Sequence, residues 1–179
     1  HENEMVEPGF YSVKMDNGVK VELAASERVG FHRYYFPDNQ KANIIIDLSE
    51  GINDRTTNAE LKQINDTTFL GHRFSSGWAK EQEVYFAIIT SQPIHNFRLF
   101  DDTIQIDQTT TNSHQLKGFI RFEQDPGMLA LKVGISPVSS SNALDNILNE
   151  IPDWNFQKVV DSANEKWNNE LSKIKIKTR

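Results

Sequence analysis

The chain has 179 residues, enough for one domain with an appendage and a sizeable buried core. Its formal net charge is −6, with acidic and basic residues interspersed, which argues against a nucleic-acid or anionic-membrane partner. Cysteine is absent, so no disulfide is needed, and no apolar run approaches the length of a bilayer span.

In chain order, two alternating segments first flank Asp16-Asn17-Gly18. The alternation is the period-2 mark of half-buried strands, and Asn17-Gly18 offers the positive φ angles of a tight hairpin. A third strand follows at 28–36. Further strand candidates lie at 43–48, 61–64, 68–74, 83–90, 96–100, 103–107, 115–122 and 128–135. Turn signals punctuate them, among them Pro37-Asp38-Asn39, Ser75-Ser76-Gly77, Asp101-Asp102 and Asp125-Pro126-Gly127. Many short strands with no helical pattern between them indicate an antiparallel sandwich or barrel. The last two candidates are expected to pair across Asp125-Pro126-Gly127.

The pattern changes at Ser136-Pro137. Ser139-Ser140-Ser141-Asn142 supplies N-cap residues for a short helix carrying Ala143, Leu144, Ile147 and Leu148, which Pro152 stops. Asp153 or Asn155 can cap a longer helix with Phe156, Val159, Val160, Ala163, Trp167, Leu171 and Ile174 on one stripe. That stripe is expected to fold back on the sandwich through Phe156, Val160, Ala163 and Trp167, with its end underburied. The front lacks a signal-like n- or h-region and the tail alternates like a new strand, so a piece of a larger protein is expected.

Four blocks of the chain, taken in order, carry a recognisable pattern. They are His1-Glu2-Asn3-Glu4 with Pro8-Gly9-Phe10-Tyr11-Ser12-Val13, the strand pair at 20–36, and Ser75-Ser76-Gly77-Trp78-Ala79 running into Val84-Tyr85-Phe86. The fourth is Pro152-Asp153-Trp154-Asn155-Phe156 leading into Trp167-Asn168-Asn169-Glu170-Leu171. Together these blocks resemble glycoside hydrolase family 92, the calcium-dependent exo-acting α-mannosidases, over nearly the whole chain. The resemblance implies a mainly β fold: an antiparallel, many-stranded, galactose mutarotase-like supersandwich with two C-terminal helices. Residues 1–136 would form an incomplete sandwich domain lacking upstream strands. Residues 137–179 would form a helical connector toward an absent catalytic domain. It further implies inverting hydrolysis of mannosides, with calcium gripping the sugar in the parent enzyme and a secreted, periplasmic or cell-surface location. Inversion needs a carboxylic acid at the leaving oxygen and a carboxylate activating water from the opposite face. In the family these groups and most calcium contacts come from the helical domain, so no catalytic residue and no metal ligand is expected within this chain.

The histidines, His1, His32, His72, His95 and His114, show no metal-ligand spacing. His32 reads as a half-exposed or hydrogen-bonded strand residue. His72-Arg73 precedes the Trp78 turn and could reach a ligand, although a structural role is favoured. His1 divides evenly between domain-interface packing and substrate contact. Trp78 offers an indole platform for a sugar, but the reading preferred is a ring covering the end of the sandwich. Trp154 and Trp167 are read as packing residues, either within this domain or against the missing one. Asp101-Asp102, Asp107 and Asp125 form no calcium loop and read as solvated turn residues. Substrate-binding or domain-interface candidates are therefore His1, His72, Arg73 and Trp78.

Three function classes compete. One is the non-catalytic sandwich portion of an exo-α-mannosidase, with mannose-containing glycans and a C-terminal helical catalytic domain as partners. The second is an autonomous carbohydrate-binding module, disfavoured by the lack of a clear aromatic row. The third is a mutarotase-like epimerase, which needs His and Glu in one concavity.

Overall fold

The computed structural model describes residues 2–38, 41–107, 113–122 and 127–177. Its strands are β1 (Glu4–Glu7), β2 (Phe10–Lys14), β3 (Lys20–Ala25), β4 (Val29–Tyr35), β5 (Asn43–Asp47), β6 (Arg55–Gln63), β7 (Thr68–Ser76), β8 (Gln82–Thr90), β9 (Ile94–Asp101), β10 (Ile104–Ile106), β11 (Leu116–Phe122) and β12 (Met128–Ser136). The helices α1 (Ser140–Glu150) and α2 (Phe156–Leu171) follow. The eight-stranded sheet runs β1-β2-β3-β4-β12-β8-β7-β6 and the four-stranded sheet β10-β9-β11-β5. Every described pairing is antiparallel. The expected antiparallel β-sandwich with two terminal helices is the observed fold.

The expected pairing of the last two strands is overturned. β11 lies between β9 and β5 in the small sheet, whereas β12 lies between β4 and β8 in the large one. Burial explains the separation. β11 hides only alternate residues, Leu116, Gly118, Ile120 and Phe122, as a strand wet on one face does. β12 buries four consecutive residues, 129–132, and needs cover on both faces. Asp125 and Pro126 lie outside the described residues, and the Gly127 carbonyl accepts from Phe36 N–H.

The first hairpin also differs in detail. Gly18 takes φ +87°, while Asn17 is not in the left-handed region. The Met15 carbonyl accepts from Gly18 N–H, and Met15 N–H donates to Val19, a turn closed by a glycine bulge. The Asn17 side chain accepts from Val19 N–H instead of supplying a positive φ. Two strand segments carried no alternation to read. β1 is exposed throughout, and the first half of β6 is hidden by a register shift between Thr56 and Asn58.

One core fills the space between the sheets, around Leu61, Phe69, Leu99, Leu116, Ile120 and Leu129. A second lies on the outer face of the large sheet, where Phe31 and Ala87 meet Ala143, Ile147, Phe156 and Val160 of the helices. Ser139 caps α1 by accepting from Asn142 N–H, and Asn155 caps α2 by accepting from Lys158 N–H. Charged groups fasten the segment between the helices. Lys132, 3% exposed, donates to the Ile151 carbonyl at 2.8 Å and lies 4.2 Å from the Trp154 ring. Arg33 lies 3.8 Å from the Phe156 ring and pairs with Glu22 at 2.6 Å. Such cation–aromatic contacts gain strength when shielded from water.

α2 buries Phe156, Val159, Val160 and Ala163 on the sandwich, as its stripe requires. Trp167 departs from the expected packing: it is 53% exposed, and Leu171 and Ile174 are exposed beside it. Ala163 abuts Gly9 in the β1–β2 turn and Lys166 pairs with Glu27 in the β3–β4 turn, so the next helical turn has run past the sheet.

Candidate functional site

The antiparallel register collects the β7–β8 turn, the β12–α1 connection and the β3–β4 turn at one end of the large sheet. The β5–β6 loop joins them through an ion pair. Arg73 donates to both Asp54 oxygens, Nη1 to Oδ2 and Nη2 to Oδ1, each at 2.9 Å, and its Nε donates to the Leu48 carbonyl at 3.1 Å. Hydrogen bonds from Arg73, and then from the Ser75 side chain, hold the Asp54 carboxyl down at about 2. The same carboxylate raises Arg73. This two-pronged geometry fixes the loop against β7. Gly77 packs so closely on the loop that a Cβ there would lie 2.6 Å from the Asn53 carbonyl. Two large apolar side chains stand outward from this anchored pair of loops: Ile52, 95% exposed, and Trp78, 101% exposed.

The structure separates the candidates that adjacency in sequence had grouped. His1 lies outside the described residues. Arg73 shares the inner face of β7 with buried Phe69 and Ser75 and is committed to Asp54. His72 points to the other face, stacked on Phe74 at 4.3 Å and edge-on to Tyr85. Burial lowers its pKa, and its Nε2 has no hydrogen-bond partner. The preferred sequence reading of Trp78, a ring covering the sandwich end, is corrected. Trp78 is fully exposed, standing on a turn whose neighbouring loop is held by the Arg73–Asp54 pair and the Leu48 carbonyl. His32 packs in β4 with Nδ1 2.9 Å from the Tyr34 hydroxyl, and burial lowers its pKa.

Two concavities at this end were not legible in the sequence, because each gathers residues from separate connections. A polar cleft of about 320 Å³ holds Glu50, Arg55, Asp102, His114 and Lys117. It places a His and a Glu together, but His114 Nδ1 lies 3.3 Å from the Thr56 carbonyl, and Lys117 lies between Asp47 and Asp102 at 3.7 and 3.9 Å. Asp102 has φ +54°, a conformation Asp tolerates in turns. An apolar groove of about 560 Å³ runs between α2 and the β3–β4 turn, lined by Ile151, Pro152, Val159, Ala163 and Trp167. Among the described residues no three His, Asp or Glu side chains converge as metal ligands.

Comparison with known proteins places this geometry. Residues 1–136 match the model of the glycosyl hydrolase family 92 N-terminal domain, and residues 142–179 match that of the family's catalytic domain. A relative from Arthroderma benhamiae, described as an uncharacterized secreted glycosidase, is 24% identical over 96% of this chain and 25% of its own length. The structure of a family GH92 α-mannosidase from Bacteroides thetaiotaomicron superposes with a TM-score of 0.91 at 27% identity, covering 100% of this chain and 25% of that one. An inverting GH92 mannosidase from the same organism shares the fold, with a TM-score of 0.85 at 21% identity, covering 99% of this chain and 24% of its own. The chain thus spans about a quarter of the length of these relatives. No described helix is long and apolar enough to cross a membrane. The chain belongs to glycoside hydrolase family 92, as part of its N-terminal sandwich with the adjoining helices.

Proposed function

We propose that this chain is the non-catalytic sandwich portion of a secreted, periplasmic or cell-surface exo-α-mannosidase that releases terminal α-linked mannose from glycans with inversion. The observation that carries the reading is the similarity of the entire chain to an α-mannosidase structure, at 27% identity. Carboxylate chemistry supports the division of labour. An inverting enzyme needs one carboxylic acid kept protonated at working pH and a second carboxylate to activate water. Every described carboxylate with a resolved shift, namely Glu22, Glu27, Asp47, Asp54, Glu150 and Asp153, is lowered. Neighbouring cations, hydroxyls and amides outweigh burial at these groups and keep them ionised. They serve as structural anions, while the acid and base belong to the helical catalytic domain. The sandwich supports that domain and shapes the rim around its substrate.

The test is mannose release from mannose-rich glycans in the presence of calcium, by the 179-residue chain and by a polypeptide of the relatives' full length. The full-length protein is expected to be active and the 179-residue chain silent. Release by the short chain above a heat-treated control would refute the non-catalytic assignment. An inactive full-length protein would refute the mannosidase reading.

A further inference from the structure

Alternation along the small sheet turns one set of residues into the core and the other outward. Phe97, Leu99, Leu116 and Ile120 are buried on the inner face, so their strand neighbours stand on the outer one. The antiparallel register lines these up in three rows: Phe100 beside Lys117, Arg98 beside Phe119, and Asn96 beside Arg121. Ile45, 67% exposed, continues the middle row on β5, and Gln105 extends the first onto β10. The face measures about 14 Å each way at ordinary strand geometry. Its two half-buried phenylalanines lie on a diagonal of about 7–8 Å. Three cations flank them. Arg98 Nε donates to Asn96 Oδ1 at 3.0 Å, and neither Arg98 nor Arg121 is paired with a carboxylate among the described residues. Lys117 lies 3.7 and 3.9 Å from Asp47 and Asp102, a loose arrangement. Elsewhere Lys20 and Arg33 share Glu22, Arg28 holds Glu150 and Arg73 holds Asp54.

We propose that the outer face of the small sheet binds an acidic polysaccharide, one carrying carboxylate or phosphate groups along its length. A guanidinium fork grips an oxyanion through two N–H groups, and an unpaired one has no carboxylate to surrender first. Phenyl faces, negative at the ring centre, attract the C–H faces of sugar rings. The amides of Asn96 and Gln105 offer donors and acceptors to hydroxyls. Charge complementarity selects among occupants. The chain as a whole carries −6, yet this face presents three cations to one carboxylate, Asp47. A second copy laid face to face would oppose like charges. A nucleic acid spaces its phosphates too densely for three cations spread over about 14 Å to neutralise, whereas a sugar polymer spaces its charges by whole rings. The helices lie across the sandwich on the large sheet, so the segment tethered to α2 departs from the other side. Binding by this face stands on its own. Its use, holding polymeric substrate close to the enzyme, rests on the mannosidase reading.

Affinity electrophoresis of the 179-residue chain through gels holding polymannuronate, a phosphorylated mannan or a neutral mannan tests the proposal. Retardation by an acidic polymer is expected, at least about tenfold tighter than by neutral mannan and released by salt. Retardation by polymannuronate alone would identify carboxylate as the recognised group, and by phosphorylated mannan alone phosphate. The double variant Arg98→Gln, Arg121→Gln is expected to lose about tenfold or more in affinity with its Tm unchanged, since neither side chain serves the core. Phe119→Thr, which keeps strand propensity, is expected to weaken the same binding while circular dichroism shows the fold intact. Equal retardation of wild type and the arginine variant would overturn the proposal. So would no retardation by either acidic polymer, or neutral mannan binding as tightly as they do. Tighter binding of single-stranded RNA would overturn it in favour of nucleic acid. A full-length protein that binds the acidic polymer but releases no mannose would keep the site and remove only the mannosidase reading. One that releases mannose without binding the polymer would do the reverse.

Discussion

Asp54 acts as a structural anion. Its carboxyl sits at about 2 in the folded chain, against about 3.9 for an unperturbed Asp. A depressed folded pKa contributes stability that is complete above the unfolded value and is lost as pH falls through the folded one. Asp54→Asn should therefore destabilise the chain most at neutral pH, with the deficit shrinking between about pH 4 and pH 2. Urea unfolding of both proteins across that interval measures it, and a deficit independent of pH would show that the ion pair is not its source. Residue-scale roles of this kind were the least legible. His72 and Arg73 are neighbours in sequence but face opposite sides of β7, and Arg73 takes its partner from a loop 19 residues earlier. The sequence marked Arg73 as a site candidate, but nothing local in it names Asp54.

α2 changes role along its length, from packed element to projecting one. Phe156, 3% exposed, makes edge-on contacts with Phe10 and Phe31, and Phe156→Ala should cost about 3–5 kcal/mol. Trp167→Ala should cost about 0.5 kcal/mol in the same chain, as expected at a largely solvated position. Denaturant midpoints separate the two, and similar losses would mean that α2 continues onto the sandwich beyond Lys166. α1 depends on a close approach: a Cβ at Gly134 would lie 2.3 Å from the Ala143 carbonyl oxygen. Gly134→Ala should cost about 1–3 kcal/mol by forcing the helix off β12, read out as a lowered Tm with reduced helical signal. Both helices and their caps were legible because their determinants, Ser139, Asn155 and Pro152, are local. Where the apolar stripe of α2 stops being covered was not, because that depends on where the sheet ends.

At the scale of the whole molecule, the helices and sandwich share one core. Phe31, Ala87 and Ala130 from the sheet meet Ala143, Ile147, Phe156 and Val160. Unfolding should therefore be cooperative, with helical circular dichroism and the amide NMR signals of β9 and β11 falling at one denaturant concentration. Earlier loss of the helical signal would show that the outer core couples them weakly. The sequence alone determined the strand-rich antiparallel character, the change to helices after Ser136 and the family resemblance, since alternation, turn chemistry and caps are written in neighbouring residues. Only the tertiary structure decided that β11 and β12 part into different sheets, that Asp54 finds Arg73, and that Trp78 and Trp167 stand exposed at one end. Those outcomes depend on which faces must be buried on both sides, and on contacts between segments far apart in the chain, which periodicity does not encode.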